Sequence, residues 1–499
     1  MSFTPVAVSP ADQPQVSVKR LYLWSLSLVA ALGGLLFGYD WVVIGGAAKF
    51  YEAYFQLAQT AGAAADAGVF ARLWASLLSP IGWAQSCALL GCLLGALISG
   101  VLSDRYGRKP MLLIAGANFA VASLGNALAG SFGAFVAWRI FSGVSIGLAS
   151  NISPMYISEI APARIRGLLV AVNQLTIVLG VLGAQAVNWL IAEPVPAGLD
   201  ATAFVASWNV QTGWRWMFAA CAVPSLVFFI CGWFVPESPR WLAARGRRDR
   251  ATSILARIGG SGYATTAIAA IDAAHGGDAQ EAPARFAALF DPRLRRVLTL
   301  GVVLAVFQQW CGINVIFNYA GEIFQRAGYD LNDTLTSIVM TGVVNLVFTV
   351  AALVAVDRLG RKPLLLFGAA ALAVVYVAIG FCFQQKAGGV PVPNTLFLGL
   401  VLSAIASYAM SLAPVTWVVI SEIFPNRIRG TAMSFAVGCL WIACFLLTYT
   451  FPVFNSVLGP HVTFWIYAGI CLCGFLFVWR RLPETKGRTL EQIEASLTS

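Results

Sequence analysis

The chain has 499 residues, of which 59% are hydrophobic and only 11% are charged, and its mean hydropathy is +0.77. Soluble domains carry about 25% charged residues, so this composition excludes an ordinary soluble protein and indicates a chain that crosses a membrane many times. The net charge of +10 does not indicate nucleic-acid binding, because the basic residues lie between the apolar runs, where they orient membrane helices.

Twelve apolar runs follow one another along the chain, and the first extends over residues 21–48. Each run is long enough to span a bilayer as a helix, and a helix satisfies its own backbone there. The first run is also too long for a cleavable signal. A basic, Ala-rich stretch separates six runs from six. We therefore predict an all-α membrane protein with an N-terminal bundle, linker helices, a C-terminal bundle and a tail over residues 1–235, 236–295, 296–482 and 483–499.

Three motifs of the first half recur in the same order in the second half. Such an internal repeat predicts two homologous six-helix bundles with a pathway between them. Most Lys and Arg residues of the loops fall on one side of the predicted membrane. By the positive-inside rule this is the cytoplasmic side, and both termini are expected there. The repeated pairs of segments are 104–110 with 357–363, 158–167 with 421–430, and 236–240 with 483–488.

The repeated motifs resemble those of the major facilitator superfamily. Asp-Arg-x-Gly-Arg-Lys in both halves is shared with the whole superfamily, whereas three further segments are typical of its sugar porter family, which includes xylose–proton symporters and glucose facilitators. The resemblance extends over residues 22–492 and implies a monomeric cytoplasmic-membrane carrier that moves a monosaccharide by alternating access. It implies protons as coupling ions and no other cofactor. The three segments are Pro-Glu-Ser-Pro-Arg-Trp-Leu at 236–242, Gln-Gln-Trp-Cys-Gly-Ile-Asn at 308–314 and Pro-Glu-Thr-Lys-Gly at 483–487.

The resemblance also implies a sugar site of amides and aromatic rings. Amides donate and accept hydrogen bonds, as sugar hydroxyls require, and rings cover the apolar faces of a sugar. The seventh helix must break or tilt at Gly312 if its three amides are to face one site. The alternative is that the amides bond neighbouring helices and that the tryptophans only pack. The implied residues are Phe37, Gln174, Gln308, Gln309, Asn314, Asn345, Trp417 and Trp441.

The exact sugar stays open between pentoses and hexoses because this chain departs from the family pattern. Leu440 and Cys444 stand beside Trp441 where many members carry polar residues. Val181 replaces a family glutamine, and Asn318 replaces a common aromatic residue.

Asp40 is expected to couple transport to protons. A carboxylate inside a membrane helix costs roughly 2.5–3.5 kcal/mol and marks ion or substrate pathways. Proton-coupled sugar porters carry an acid at this point, and Arg139 in the fourth run is its natural partner. The alternative is a static Asp40–Arg139 ion pair that only joins two helices, as in a facilitative uniporter.

The charged residues of the repeated motifs are expected to form a cytoplasmic gate. Arginine–carboxylate pairs are strong and directional, yet a few of them can separate together, which suits a latch. The alternative is that these charges only fix topology. The gate residues are Arg105, Arg108, Glu159, Arg166, Glu237, Arg358, Arg361, Glu422, Arg429 and Glu484.

Two other classes of function are less compatible with the sequence. A transporter-like sugar sensor is expected to carry a long signalling tail. An enzyme needs a nucleophile, base or metal set, whereas the chain has only two histidines, and its ten cysteines lack metal-ligand spacing. No Walker-type nucleotide-binding loop occurs. We therefore expect no catalytic residues and no metal site.

Overall fold

The computed structural model describes residues 19–57, 79–162, 164–196, 199–278, 294–424 and 429–486. Twelve of its helices, α1–α12, correspond to the twelve predicted apolar runs. The chain is therefore a multi-pass membrane protein built from helices. The bounds of α1–α12 are Arg20–Tyr54, Pro80–Tyr106, Arg108–Leu128, Phe132–Ile160, Arg166–Ile191, Asn209–Phe234, Arg295–Asn318, Leu331–Leu359, Arg361–Ala387, Asn394–Ile423, Arg429–Val457 and Gly459–Arg481.

A thirteenth helix is also long and apolar enough to cross a membrane, and the sequence did not predict it as a span. It lies in the linker at Arg248–Asp278 and bends at Gly260, whose φ is +82°. The Lys19 backbone N–H donates to the carbonyl of Ile258 at 2.8 Å, so the helix lies against the start of α1. Because α1 begins on the cytoplasmic side, the thirteenth helix belongs to the linker on that surface rather than to either bundle.

The two halves of the chain pack in the same way. In the first half α1 packs along α5, α2 along α4, and α3 along α6. In the second half α7 packs along α11, α8 along α10, and α9 along α12. Adding six to each helix number converts one set of pairs into the other. The internal repeat predicted from the motifs is thus a repeat of packing.

The two bundles meet on the extracellular side. The Trp189 indole N–H at the end of α5 donates to the Thr336 hydroxyl on α8 at 3.3 Å. On the other flank, the ring of Trp83 near the start of α2 lies edge-on to Tyr449 of α11, with centroids 5.9 Å apart. These contacts close the extracellular mouth between the bundles.

The close packing of α2 on α4 depends on glycines that let the two backbones touch. A Cβ built on Gly91 would lie 2.0 Å from the Ile140 carbonyl oxygen, and one on Gly143 would lie 2.0 Å from that of Ala88. Small residues at such crossings are the usual way for membrane helices to associate closely. This contact holds α4, and with it Arg139, at a fixed distance from α2.

We expect Gly91→Ala to lower the melting temperature of the purified protein, because the added methyl group must push the two helices apart. Overpacking of this kind costs about 1–3 kcal/mol. Gly100→Ala on the same helix is the matched control, since nothing lies within 4 Å of the added Cβ. Melting in detergent followed by fluorescence measures both. Equal stability of the two variants would contradict the packing argument.

Candidate functional site

A buried ion pair joins α1 to α4 in the middle of the first bundle. Asp40 and Arg139 are each only 2% exposed, and a guanidinium nitrogen lies 3.1 Å from one carboxylate oxygen. The Ser142 hydroxyl donates to the other oxygen at 2.8 Å. The predicted pairing of Asp40 with Arg139 is therefore confirmed, and both carboxylate oxygens have a donor.

Sequence reasoning missed Ser142. It lies three residues after Arg139, so the two side chains share one face of α4. The available signal was that Ser142 lies one helical turn from Arg139. This spacing indicates a role for Ser142 only when the partner of Arg139 is known to lie on the same side of the helix.

The seventh helix breaks where the sequence predicted. The first part of α7 ends at Trp310, Gly312 has a φ of +87°, and a new helix begins at Ile313. Only glycine adopts this left-handed conformation readily. The break turns the side chains that follow it relative to those that precede it.

The three amides of α7 form one hydrogen-bonded chain as a result of that break. The Gln309 amide donates to the Gln308 carbonyl oxygen at 2.8 Å, and the Asn314 amide donates to the Gln309 carbonyl oxygen. Asn314 also contacts the Cys444 thiol of α11 at 3.6 Å. All three amide residues are buried, with exposures of 4–7%. The structure therefore brings these three predicted residues together.

Three aromatic rings meet between the bundles. The Phe37 and Trp41 rings of α1 each contact Trp441 of α11, with centroid distances of 6.1 and 5.9 Å. Trp441 is one helical turn from Cys444, so the rings and the amide chain meet on one face of α11. Phe37 and Trp441 were predicted site residues, whereas Trp41 was not.

The remaining predicted sugar-site residues are Gln174, Asn345 and Trp417. Gln174 is half-buried on α5, Asn345 is 7% exposed on α8, and Trp417 is 37% exposed on α10. Within the described ranges, no hydrogen bond or ring contact joins them to the α7 amides. Their place at a sugar site stays a prediction.

The cytoplasmic charges form two equivalent ion pairs, one in each bundle. A guanidinium nitrogen of Arg108 lies 3.0 Å from a Glu159 oxygen, and one of Arg361 lies 3.2 Å from a Glu422 oxygen. Each pair joins consecutive membrane helices, α3 to α4 and α9 to α10. The Arg–Glu pairing was predicted, but these two pairs hold each bundle together rather than joining one bundle to the other.

Glu237 and Glu484 do not form the arginine forks expected of them. Their carboxylates instead accept backbone N–H groups at the starts of α3 and α9, from Arg108 at 2.9 Å and from Arg361 at 3.1 Å. Carboxylates are favourable there because a helix N-terminus has unpaired N–H groups and a positive dipole end. Burial raises the pKa of Glu237 despite these donors. Burial also raises the pKa of Glu484, but the backbone N–H donors outweigh burial, and the net effect is a lowered pKa.

The other predicted gate arginines have different surroundings. The Arg105 guanidinium lies 5.2 Å from the centroid of the Tyr106 ring, and Arg166 is half-buried at the start of α5. The Arg358 carbonyl accepts the Lys486 ammonium at 2.7 Å. The side chain of Arg429 lies outside the described residues.

Metal ions in proteins are usually held by sets of His, Cys, Asp or Glu side chains. Among the residues that the structure describes, no group of three or more His, Cys, Asp or Glu side chains lies close enough to hold a metal ion. All ten cysteines have free thiols.

Two six-helix bundles around a central polar and aromatic site define a transporter of the major facilitator class. The family model described as "Sugar (and other) transporter" matches residues 26–497, and the chain belongs to that family. The D-xylose-proton symporter of Escherichia coli (strain K12) is 39% identical in an alignment of 498 positions, which covers 95% of this chain and 95% of that protein.

Two further comparisons bear on mechanism and conformation. The glucose facilitated diffusion protein of Zymomonas mobilis is 36% identical in an alignment of 483 positions, which covers 94% of this chain and 96% of that protein. The inward-open structure of the E. coli xylose transporter matches with a TM-score of 0.80 at 37% identity, covering 95% of this chain and 100% of that chain. This likeness agrees with an extracellular mouth that is closed.

We expect Arg139→Gln to destabilise the protein strongly, because it leaves the Asp40 carboxylate buried without its charged partner. Breaking a buried pair in this way typically costs about 3–5 kcal/mol. The double variant Asp40→Asn/Arg139→Gln removes both charges and should recover much of the loss. Melting temperatures of the two single variants, the double variant and the unmodified protein form a double-mutant cycle.

The Arg248–Asp272 pair on the surface supplies the control. Its nitrogen–oxygen distance of 3.0 Å is close to that of the buried pair, but its side chains are 65% and 36% exposed. Arg248→Gln should change the melting temperature little, since exposed pairs contribute about 0–1 kcal/mol. Simple addition of the two single losses in the Asp40/Arg139 double variant would contradict energetic coupling between the two charges.

Proposed function

We propose that this protein imports a monosaccharide together with a proton, by alternating access in the cytoplasmic membrane, with both termini in the cytoplasm and the monomer as functional unit. The observation that carries the proposal is the position of Asp40. Its carboxylate is buried in an ion pair, yet it lies on the same turn of α1 as two rings of the central site. A sugar and a proton would thus bind to neighbouring faces of one helical turn.

The amide chain and the rings supply what a sugar needs. The hydrogen bonds among Gln308, Gln309 and Asn314 hold the three amides in one group while no ligand is bound. Sugar hydroxyls can replace these bonds one for one, because each amide both donates and accepts. Rings at the interface between bundles would cover the apolar face of the sugar ring.

Protonation of Asp40 would loosen the contact of α1 with α4. The carboxylate now accepts from both Arg139 and Ser142. A protonated carboxyl carries an O–H donor, and arginine has no acceptor for it. Loss of the charge therefore removes most of the attraction to Arg139 and lets α1 move relative to α4. Release of the proton toward the cytoplasm would restore the pair seen here.

The energy available from one proton is sufficient for useful accumulation. Moving one elementary charge through 100 mV releases about 2.3 kcal/mol. Since 1.4 kcal/mol corresponds to about a factor of ten, one proton per sugar supports roughly fiftyfold accumulation.

The cytoplasmic charges would act as cross-links that keep each bundle rigid while the two bundles move relative to each other. The carboxylates of Glu237 and Glu484 fasten the starts of α3 and α9 to the segments after α6 and α12. The Arg108–Glu159 pair joins α3 to α4 within the same bundle. Rigid-body rocking requires bundles that do not deform, and these contacts supply that rigidity.

A facilitative uniporter is the second candidate. The Asp40–Arg139 pair is complete in this structure, with a hydroxyl on the second oxygen, and a static cross-link would look the same. The similarity to a glucose facilitated diffusion protein supports this alternative. A uniporter would equilibrate the sugar, whereas a symporter would concentrate it.

Uptake by the purified protein in proteoliposomes tests the proposal. We expect one sugar of a labelled panel of xylose, arabinose, glucose and galactose to accumulate above its external concentration when the outside is more acidic. A protonophore should reduce this to equilibration, and liposomes without protein should show no uptake.

Equilibration without accumulation would contradict proton coupling and leave a uniporter. The absence of uptake for every sugar in the panel would contradict the proposed substrate class.

A further inference from the structure

Trp41 and Phe37 are unusual among the residues of the middle of α1. Between Leu36 and Ala48 only these two residues have intermediate exposure, and all the remaining residues of that segment are buried. They are four residues apart, so they lie on the same face of the helix, one turn from each other. Both contact Trp441 of the opposite bundle. Their exposed parts therefore face the space between the bundles and not lipid.

A different face of the same turn carries Asp40, the proposed proton site. Consecutive residues of a helix diverge by about 100°, which separates Trp41 from Asp40. Asp40 points to Arg139 and Ser142 of α4, whereas Trp41 points to α11. Substitution of Trp41 can thus change the central site without removing any member of the Asp40 group.

Trp441 indicates what the rings are arranged to receive. It is 5% exposed, and its indole N–H has no hydrogen-bond partner in the described structure. A buried donor without an acceptor costs about 1–3 kcal/mol. Trp441 lies at the interface between the bundles beside two partly exposed rings, where a bound ligand can supply the acceptor. A sugar hydroxyl is an acceptor of the right kind, and a sugar bound there would lie next to the Trp41 ring.

We propose that Trp41 is a substrate-contacting residue, forming with Phe37 and Trp441 an aromatic wall against the apolar face of the bound monosaccharide. This inference rests on the proposed function. Trp41 contributes area and a π face, and Trp441 contributes the N–H that fixes the orientation of the sugar. The competing role is packing alone, in which the ring only fills space between α1 and α11.

Sugar exchange at equal pH on both sides of proteoliposomes separates the two roles. Trp41→Leu keeps an apolar side chain but removes the aromatic face. We expect the KM for the transported sugar to rise about tenfold, since an aromatic contact of about 1.4 kcal/mol corresponds to that factor. Trp41→Phe keeps a smaller ring, so it should lose only part of the aromatic contact and raise KM about threefold. In both variants the effect should fall on KM rather than on the maximal exchange rate.

Trp216→Ala on α6 is the matched control, because that ring is 58% exposed on the outer surface, and its KM should equal that of the unmodified protein. A KM for Trp41→Leu within twofold of the control would overturn the proposal, and so would a fall in melting temperature without a change in KM. If Trp41→Leu does not fold, an unchanged KM for Trp41→Phe overturns it equally. Failure of the unmodified protein to exchange any sugar would instead reject the proposed function, and with it this inference.

Discussion

The buried carboxylate of Asp40 is the constraint on which the arrangement of the first bundle depends. A charge in an apolar interior needs a partner and hydrogen bonds to both oxygens, and here α4 supplies them from Arg139 and Ser142. That requirement fixes the rotation of α1. With Asp40 facing α4, the rings of Phe37 and Trp41, about 60° and 100° further round the helix, reach Trp441 of the other bundle. The glycine contacts between α2 and α4 then hold the arginine-bearing helix in place.

The two bundles have the same helix packing but different polar groups at their centres. Helix pairs correspond throughout, and so do the Arg–Glu pairs and the carboxylates at the starts of α3 and α9. The central groups do not correspond. The first bundle carries the buried charges, and the second carries the amide chain made possible by the break at Gly312. The proposed proton site lies in the first bundle, whereas the proposed sugar site takes its amides from the second bundle and its rings from both. The two sites would affect each other through the helices at the interface, α1 above all.

Sequence reasoning succeeded where a feature is local or repeated. The spans follow from apolar length, the two bundles from the recurring motifs, and the break in α7 from three amides around one glycine. It failed where the outcome depends on how helices are rotated or where their ends meet. Ser142 and Trp41 are ordinary residues until the facing helix is known. Glu237 was predicted to pair with an arginine side chain, whereas it accepts a backbone N–H at the start of α3. That contact depends on the tertiary arrangement of the two segments, which the sequence does not reveal.

The measurement that bears most directly on the role of Asp40 is a comparison of exchange with uphill uptake in the Asp40→Asn variant. Asparagine is nearly the same size but cannot carry a proton, and exchange at equal pH does not require net proton movement. The account predicts that the variant exchanges sugar across proteoliposome membranes at a rate comparable to the unmodified protein and no longer concentrates it under an inward proton gradient. A variant that still concentrates sugar would show that Asp40 is only one half of a structural ion pair.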